Sequence, residues 1–385
     1  MKRNLLGKVL IVIVIVFIIV LFLTKSDKKK KGVDVGALFP LTGDYAPWGK
    51  RAQRAAELAL EEINNSYLKG LKIKIIYEDS PGEPMKAISA FNKLVEIDNV
   101  KFILGPLSSV ETLAIAPIAE RKKIIVMTPV SSAPDITKAG DYIFRNCVSD
   151  VFEGTIAAKF VLRELNIKKA AILYVNNDYG IGIKKNFEGE FNSLGGIILK
   201  EESFNIEDND FRTQLSKINS SNPGITILAG YAAEMAQILK QTHELGINIQ
   251  YLSFSPFESP EILDIARKAA EGVYYVYQGF NVNDEEMMVK KFVDKYRSEY
   301  QENPDIFAAL TYEALKIYAT AFNEAHEINP KSVKDALYNI KNFKGITGTT
   351  SFDQNGDVIK PIGIKIVKNG EFEWIDRRFE IGDNK

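Results

Sequence analysis

From Val33 onward, short apolar runs alternate with amphipathic segments of helix length, and this alternation constrains the fold more than any other feature. A strand covered on both faces reads as a continuous run of Val, Ile and Leu, whereas a covering helix repeats its apolar residues every three or four positions. After the strand around Val33 and Val35, residues 73–77, 102–104 and 124–127 read as strands, separated by helices over 84–95 and 110–121. The pattern then restarts. Helices over 152–165, 181–194, 211–218 and 233–245 alternate with strands at 170–174, 197–200, 225–228 and 250–254. Helix-length crossovers imply parallel pairing. Two such arrays in tandem predict an α/β protein of two doubly wound (Rossmann-like) lobes meeting near 146–150, and 385 residues are too many for one ordinary core.

The last third shows no third array. A strand over 272–277 is followed by helices over 285–300, 307–324 and 331–340, and then by short β segments. Among these, Asp353-Gln354-Asn355-Gly356-Asp357 reads as an Asn-Gly turn between 349–352 and 362–367. Such a tail returns most simply to the lobes already built. The expected division is 33–148 and 277–346 in lobe 1, and 149–276 and 347–385 in lobe 2. Several crossings make a multi-strand hinge, and hence a cleft that opens and closes.

Residues 1–32 stand apart. After Met1-Lys2-Arg3, an apolar run from Val9 to Thr24 is closed by Lys25 and then by Lys28 to Lys31. As a helix it spans roughly 24 Å, short of a hydrocarbon core of about 30 Å, and counting from Leu5 with Lys8 snorkelling makes up the difference. The segment Leu21-Phe22-Leu23-Thr24-Lys25-Ser26 lacks the small residues of a cleavage site, and no Cys follows for lipidation. The reading is an uncleaved transmembrane signal anchor that holds the rest of the chain outside the cytoplasm. Lysines on the carboxyl side leave the charge rule ambiguous on orientation.

Several chemistries are disfavoured by what the chain lacks. A net charge of −1 argues against a nucleic-acid surface. The single Cys147 leaves no intrachain disulfide or Cys cluster, and His243 and His326, expected on separate helices, poorly support a metal site or a Ser-His triad. Glu207-Asp208-Asn209-Asp210 reads as a solvated loop and helix cap, with metal binding as the alternative. Gly180-Ile181-Gly182 lacks the third glycine of a dinucleotide fingerprint.

Binding features cluster where strands give way to helices. Trp48 lies on a turn punctuated by Pro40, Gly43 and Pro47, after the first strand and before a helix carrying Ala52, Ala55, Ala56, Ala59, Leu60 and Ile63 on one face. There it faces the ligand crevice of an open α/β sheet, or else merely caps the sheet. Gly105-Pro106-Leu107-Ser108-Ser109 offers hydroxyls and backbone N–H groups at a helix start, suited to an anion or to simple capping. No Gly-Lys-Ser/Thr ending makes it a nucleotide loop. Thr128-Pro129-Val130-Ser131-Ser132-Ala133-Pro134 repeats that chemistry at the next strand end, which favours a carboxylate or other small polar ligand. In the second array, Tyr179 and Tyr231 occupy the corresponding places, with large apolar faces and polar tips suited to closing over a small molecule.

Taken in order, residues 36–64, 105–112, 128–134, 174–182 and 230–235 resemble the type I periplasmic solute-binding proteins, in their leucine/isoleucine/valine-binding branch. The likeness runs from about Val33 to about Val367. It implies two lobes joined by three crossovers and closing on an amino acid or similar solute. It also implies that Ser109 and Ser132, with the backbone of Val130, hold the ligand carboxylate or ammonium. Trp48, Tyr179, Tyr231 and Phe307 would line the side-chain pocket or reach across from the other lobe. The resemblance places an acid for the ligand ammonium at Ser255, and a buried ammonium without one is costly. Either another acid such as Glu258 takes that role, or the ligand is not a standard aliphatic amino acid.

The expected function is thus capture of a small carboxylate-bearing solute, with no cofactor and no catalysis, for delivery to an ABC importer permease. A ligand sensor built on the same clamp and an α/β enzyme acting in the cleft are the alternatives. The absence of an output segment after Lys385 favours transport over sensing. The enzyme would need chemistry that a lone Asp178 or Glu258 scarcely supplies.

Overall fold

The computed structural model describes residues 31–68 and 70–379. Five strands, β1 (Lys31–Phe39), β2 (Leu71–Asp79), β3 (Phe102–Leu104), β4 (Ile125–Thr128) and β5 (Ile143–Arg145), form a wholly parallel sheet in the order β2-β1-β3-β4-β5. Its crossovers include α1 (Ala46–Glu62), α2 (Pro84–Asn92) and α3 (Ser109–Lys122). Alternate residues of β1 serve opposite faces, as a period of two requires. Val35, Ala37 and Phe39 join one core with Leu104 and Met127, while Leu38 joins the other with Ile103, Val126 and Ile115.

The second lobe repeats the winding with α4 (Asp150–Lys159), β6 (Lys169–Val175), α5 (Asp178–Ser193), β7 (Ile197–Phe204), α6 (Arg212–Ser220), β8 (Ile225–Ala229), α7 (Ala232–Glu244), β9 (Tyr251–Ser253), α8 (Pro260–Ala266) and β10 (Tyr274–Gln278). Two later strands, β13 (Ile362–Lys368) and β14 (Glu371–Phe379), add antiparallel to its edge, giving the order β14-β13-β10-β9-β8-β6-β7. Strand order in both sheets therefore reverses once, between β1 and β3 and between β6 and β8. A crevice opens at such a point beyond the strand carboxyl ends.

Between β10 and β13 run α9 (Met287–Tyr300), α10 (Ile306–Glu324), α11 (Pro330–Asn339) and the small ribbon of β11 (Phe343–Gly345) with β12 (Gly348–Thr350). Helix α10 packs along α1. Apolar nearly all round, from Phe307 to Phe322, it is buried on almost every side, as such a helix must be, and Tyr318 anchors it by donating to the Ile103 carbonyl at 2.8 Å.

Several elements differ from the sequence reading. The helices expected over 84–95 and 152–165 end in single wide turns, Lys93–Ile97 and Phe160–Glu164, which keep the apolar spacing but change the hydrogen-bond pattern. The turn at Asn355-Gly356 is formed, yet it closes only one bridge, Phe352 with Val358. The strand beyond it pairs with β10 and β14 instead, because its apolar residues find cover in the larger sheet. His326 lies exposed beyond the end of α10 rather than on a helix. The apolar run expected to span a membrane falls outside the described residues. Among those described, no helix is long and apolar enough to cross one.

Candidate functional site

Trp48 sits in the first turn of α1, and Pro47 at the helix start fixes the entry of the chain. The loop folds so tightly that a Cβ on Gly49 would stand 1.8 Å from the Pro40 carbonyl oxygen. Trp48 is buried, stacked on Tyr45 at 4.7 Å and on Phe307 of α10 at 5.0 Å. From the second lobe, Tyr231 meets Trp48 at 4.9 Å and Tyr45 edge-on at 5.5 Å, and itself stacks on Tyr179 at 5.5 Å. Five rings therefore run unbroken across the interlobe cleft. Asn177 sets the second-lobe end by capping α5 through the Gly180 N–H and donating to the Tyr231 hydroxyl at 3.1 Å.

The hydroxyl turns lie against this wall. Gly105 adopts φ +104° with its α-carbon close to the Leu38 carbonyl, which only glycine tolerates. Neither serine caps α3: Ser108 donates to Glu111 at 2.7 Å, and the Ser109 Oγ accepts from the Ala133 N–H at 3.2 Å. Ser109 thereby ties the α3 start to the second turn. That turn is held further by Thr128, which donates to the Pro106 carbonyl at 2.7 Å, and by the Arg145 guanidinium on the carbonyls of Ser132 and Ala133, both at 3.0 Å.

Between the turns and the rings lies a cavity of about 30 Å³. Val130, Ser132, Tyr179, Ser255 and Phe307 line it, all singled out from the sequence. Trp48 and Tyr231 back it through ring contacts, and Ser109 braces the turn that carries Val130 and Ser132. A larger depression of about 740 Å³, around Asp34, Lys101 and His326, opens at the amino ends of β1 and β3, the wrong end of a parallel sheet for a ligand.

The charged residue of the cavity lining escaped the sequence reading. Glu153, in the first turn of α4, is 2% exposed and accepts from the Ser255 hydroxyl at 2.7 Å. Burial pushes its carboxyl up to about 7, against the Ser255 and Gln278 hydrogen bonds that pull it down. The suggested substitute, Glu258, is engaged elsewhere: it pairs with Lys365 and accepts from the Tyr275 hydroxyl at 2.6 Å. Sequence spacing could not rank the two acids, because Glu153 reaches the cleft only once α4 stacks beside β10. The signal available was a carboxylate in the first turn of a helix that follows an interlobe crossing.

Buried charge ties the segment around residues 347–360 to α10 and to the end of β5. Lys360 pairs with Glu313 of α10 and donates to Asn146 at 2.9 Å, while Thr347 and Thr350 also donate to Glu313. Arg145 pairs with Asp357 at 2.6 Å. Across the cleft mouth, Arg51 of α1 meets Glu261 of α8 at 2.9 Å and Asp305 at 3.3 Å.

Comparison with known proteins agrees with this geometry. A family model described as periplasmic binding protein matches residues 32–371. The leucine-, isoleucine-, valine-, threonine- and alanine-binding protein of Pseudomonas aeruginosa is 28% identical over 328 residues, covering 85% of this chain and 87% of that protein. A leucine-binding protein of Thermotoga maritima superposes with a TM-score of 0.86 at 29% identity, covering 91% of this chain and 99% of its own. The branched-chain amino acid transporter substrate-binding protein of Streptococcus pneumoniae, solved with isoleucine, gives 0.83 at 30% identity over the same shares. With its paired sheets, its crossings and its cleft at the two points of strand-order reversal, the chain belongs to the periplasmic binding protein family.

Proposed function

We propose that this protein is the extracytoplasmic substrate-binding component of an ABC importer and captures an amino acid in the interlobe cleft by hinge closure. The observation that carries the reading is the cavity itself, lined by Val130 and Ser132 of one lobe and Tyr179 of the other, at the strand ends where both sheets reverse order. The relatives reported above are named for leucine, isoleucine, valine, threonine and alanine or for branched-chain amino acids, which favours amino acids here. Ser132 and the Val130 backbone, steadied by Ser109, receive the ligand carboxylate. Trp48, Tyr179, Tyr231 and Phe307 enclose its side chain, and Ser255 closes the far wall. The chain crosses between lobes near residues 149, 277 and 347. A ligand touching both lobes stabilises the closed form by its differential affinity, and the permease reads that closure. The cleft serves capture rather than catalysis.

Residues 9–24 anchor the protein in the membrane, with the lobes on the outer side. A thermal-shift and calorimetric screen of the full-length chain in detergent against L-leucine, L-isoleucine, L-valine and L-alanine tests the binding reading. Saturable binding of at least one supports it, and no response to any amino acid refutes it. Release of the chain from membranes by an alkaline carbonate wash would refute the anchor.

A further inference from the structure

Two carboxylates occupy the first turn of α4, Asp150 fully buried and Glu153 nearly so. Spaced three residues apart, they share a helix face. Among the described residues, their neighbours supply no free cation. Ser255 and Gln278 reach Glu153 from the β9 and β10 ends, and Ser132 stands beside Asp150. Tyr179, Tyr231 and Cys147 complete the charged or titratable surroundings, together with Arg145. The guanidinium of Arg145 is already paired with Asp357, and Lys360 and Lys365 are committed to Glu313 and Glu258. Among the described residues, neither carboxylate oxygen of Asp150 finds a hydrogen bond of ordinary geometry. The Tyr179 hydroxyl, on a residue 4% exposed that lines the same cavity as Glu153, is also without a hydrogen-bond partner among the described residues.

We infer that Glu153 is the counter-ion for a primary ammonium on the ligand, with Tyr179 Oη as an acceptor beside it and Asp150 as a second acid behind. The inference rests on the cleft being the solute site. Burying carboxylates without a counter-charge is costly, and a cation entering the cleft removes that cost. Burial holds both acids above the usual carboxylate range, as expected of a site waiting for positive charge. An ammonium suits the place because it donates in three directions, and Glu153 and the free Tyr179 oxygen are acceptors. A quaternary ammonium could donate to neither. The Ser255 hydroxyl, donated to Glu153, passes the acidic role from its own position to α4.

The test is calorimetry on the full-length chain with two matched pairs: L-leucine against 4-methylpentanoate, and L-alanine against propanoate. Wild type is expected to bind an amino acid at least about tenfold tighter than its partner lacking nitrogen, and Glu153→Gln to lose that preference while still binding the acid. Wild-type preference for the nitrogen-free acids, or for benzoate, overturns the inference and leaves solute binding standing, and it needs no variant to fold. Unchanged amino-acid affinity in a folded Glu153→Gln protein overturns it as well. Failure of every probe to bind wild type removes the cleft reading, and the counter-ion with it.

Discussion

Replacing Trp48 separates what the ring stack does within a lobe from what it does between lobes. Trp48 touches Tyr45 and Phe307 on its own side and Tyr231 on the other. Truncating a buried Trp to Ala costs about 3–5 kcal/mol, and the contacts with Tyr45 and Phe307 are there whether the cleft is open or shut. That part lowers thermal stability without changing affinity. With hinge closure as proposed, the contact with Tyr231 forms on closing and is worth about 0.5–1.5 kcal/mol, so its loss weakens ligand binding by about twofold to thirteenfold. Because Tyr231 also accepts from Asn177, single variants mix effects. A double-mutant cycle with Trp48→Ala and Tyr231→Ala isolates the pair. Calorimetric titration with L-leucine, or with L-alanine should that bind better, is expected to give a coupling of about 0.5–1.5 kcal/mol. Zero coupling, with affinity unchanged in both single variants and only the melting temperature lowered, would refute the argument and return Trp48 to the role of a sheet cap.

Other outcomes follow from the same geometry. Ser109→Ala removes the acceptor of the Ala133 N–H, so stability is expected to fall by about 1–3 kcal/mol in urea titration and ligand affinity to fall with it; wild-type stability would show that the brace is dispensable. Lys360→Met leaves Glu313 buried and unpaired among hydroxyls, at a cost of about 3–5 kcal/mol, and Lys360→Met with Glu313→Leu is expected to recover most of it in the same assay. Glu153, with an ordinary pKa of 4.5 raised to about 7, binds its proton more tightly folded than unfolded. Its contribution is therefore complete below pH 4.5 and is lost as pH rises to about 7, a fall of about 3 kcal/mol. Asp150, also raised, acts in the same direction. Unfolding curves for wild type should decline over that range and those for Glu153→Gln should decline less; superimposable pH profiles would contradict the burial of that charge.

Periodicity made the alternating elements legible, because strands covered on both faces and helices covered on one leave different apolar spacings. Strand β3 was read at its observed bounds and α3 to within a residue at each end. The three-residue β5 and the seven-residue α8 were missed. At those lengths apolar spacing completes no period, and pairing with β4 or packing on α7 supplies the stability. The same limit applied to the tail, where the turn chemistry at Asn355-Gly356 was correct but the partner of β13 was a strand some ninety residues earlier in the chain.

At the site, hydroxyls and rings after strands announced themselves because a parallel sheet sends every strand's carboxyl end to one edge. Sequence by itself thus determined the α/β class, the two arrays and the turns that could meet a ligand. Tertiary structure alone decided which acid stands in the cleft. The sequence points to Glu258 and passes over Glu153, but packing places Lys365 against Glu258 and only the hydrogen bonds of Ser255 and Gln278 on Glu153. A carboxylate's role depends on the charges within a few ångströms of it, and those neighbours come from strands and helices a hundred residues away.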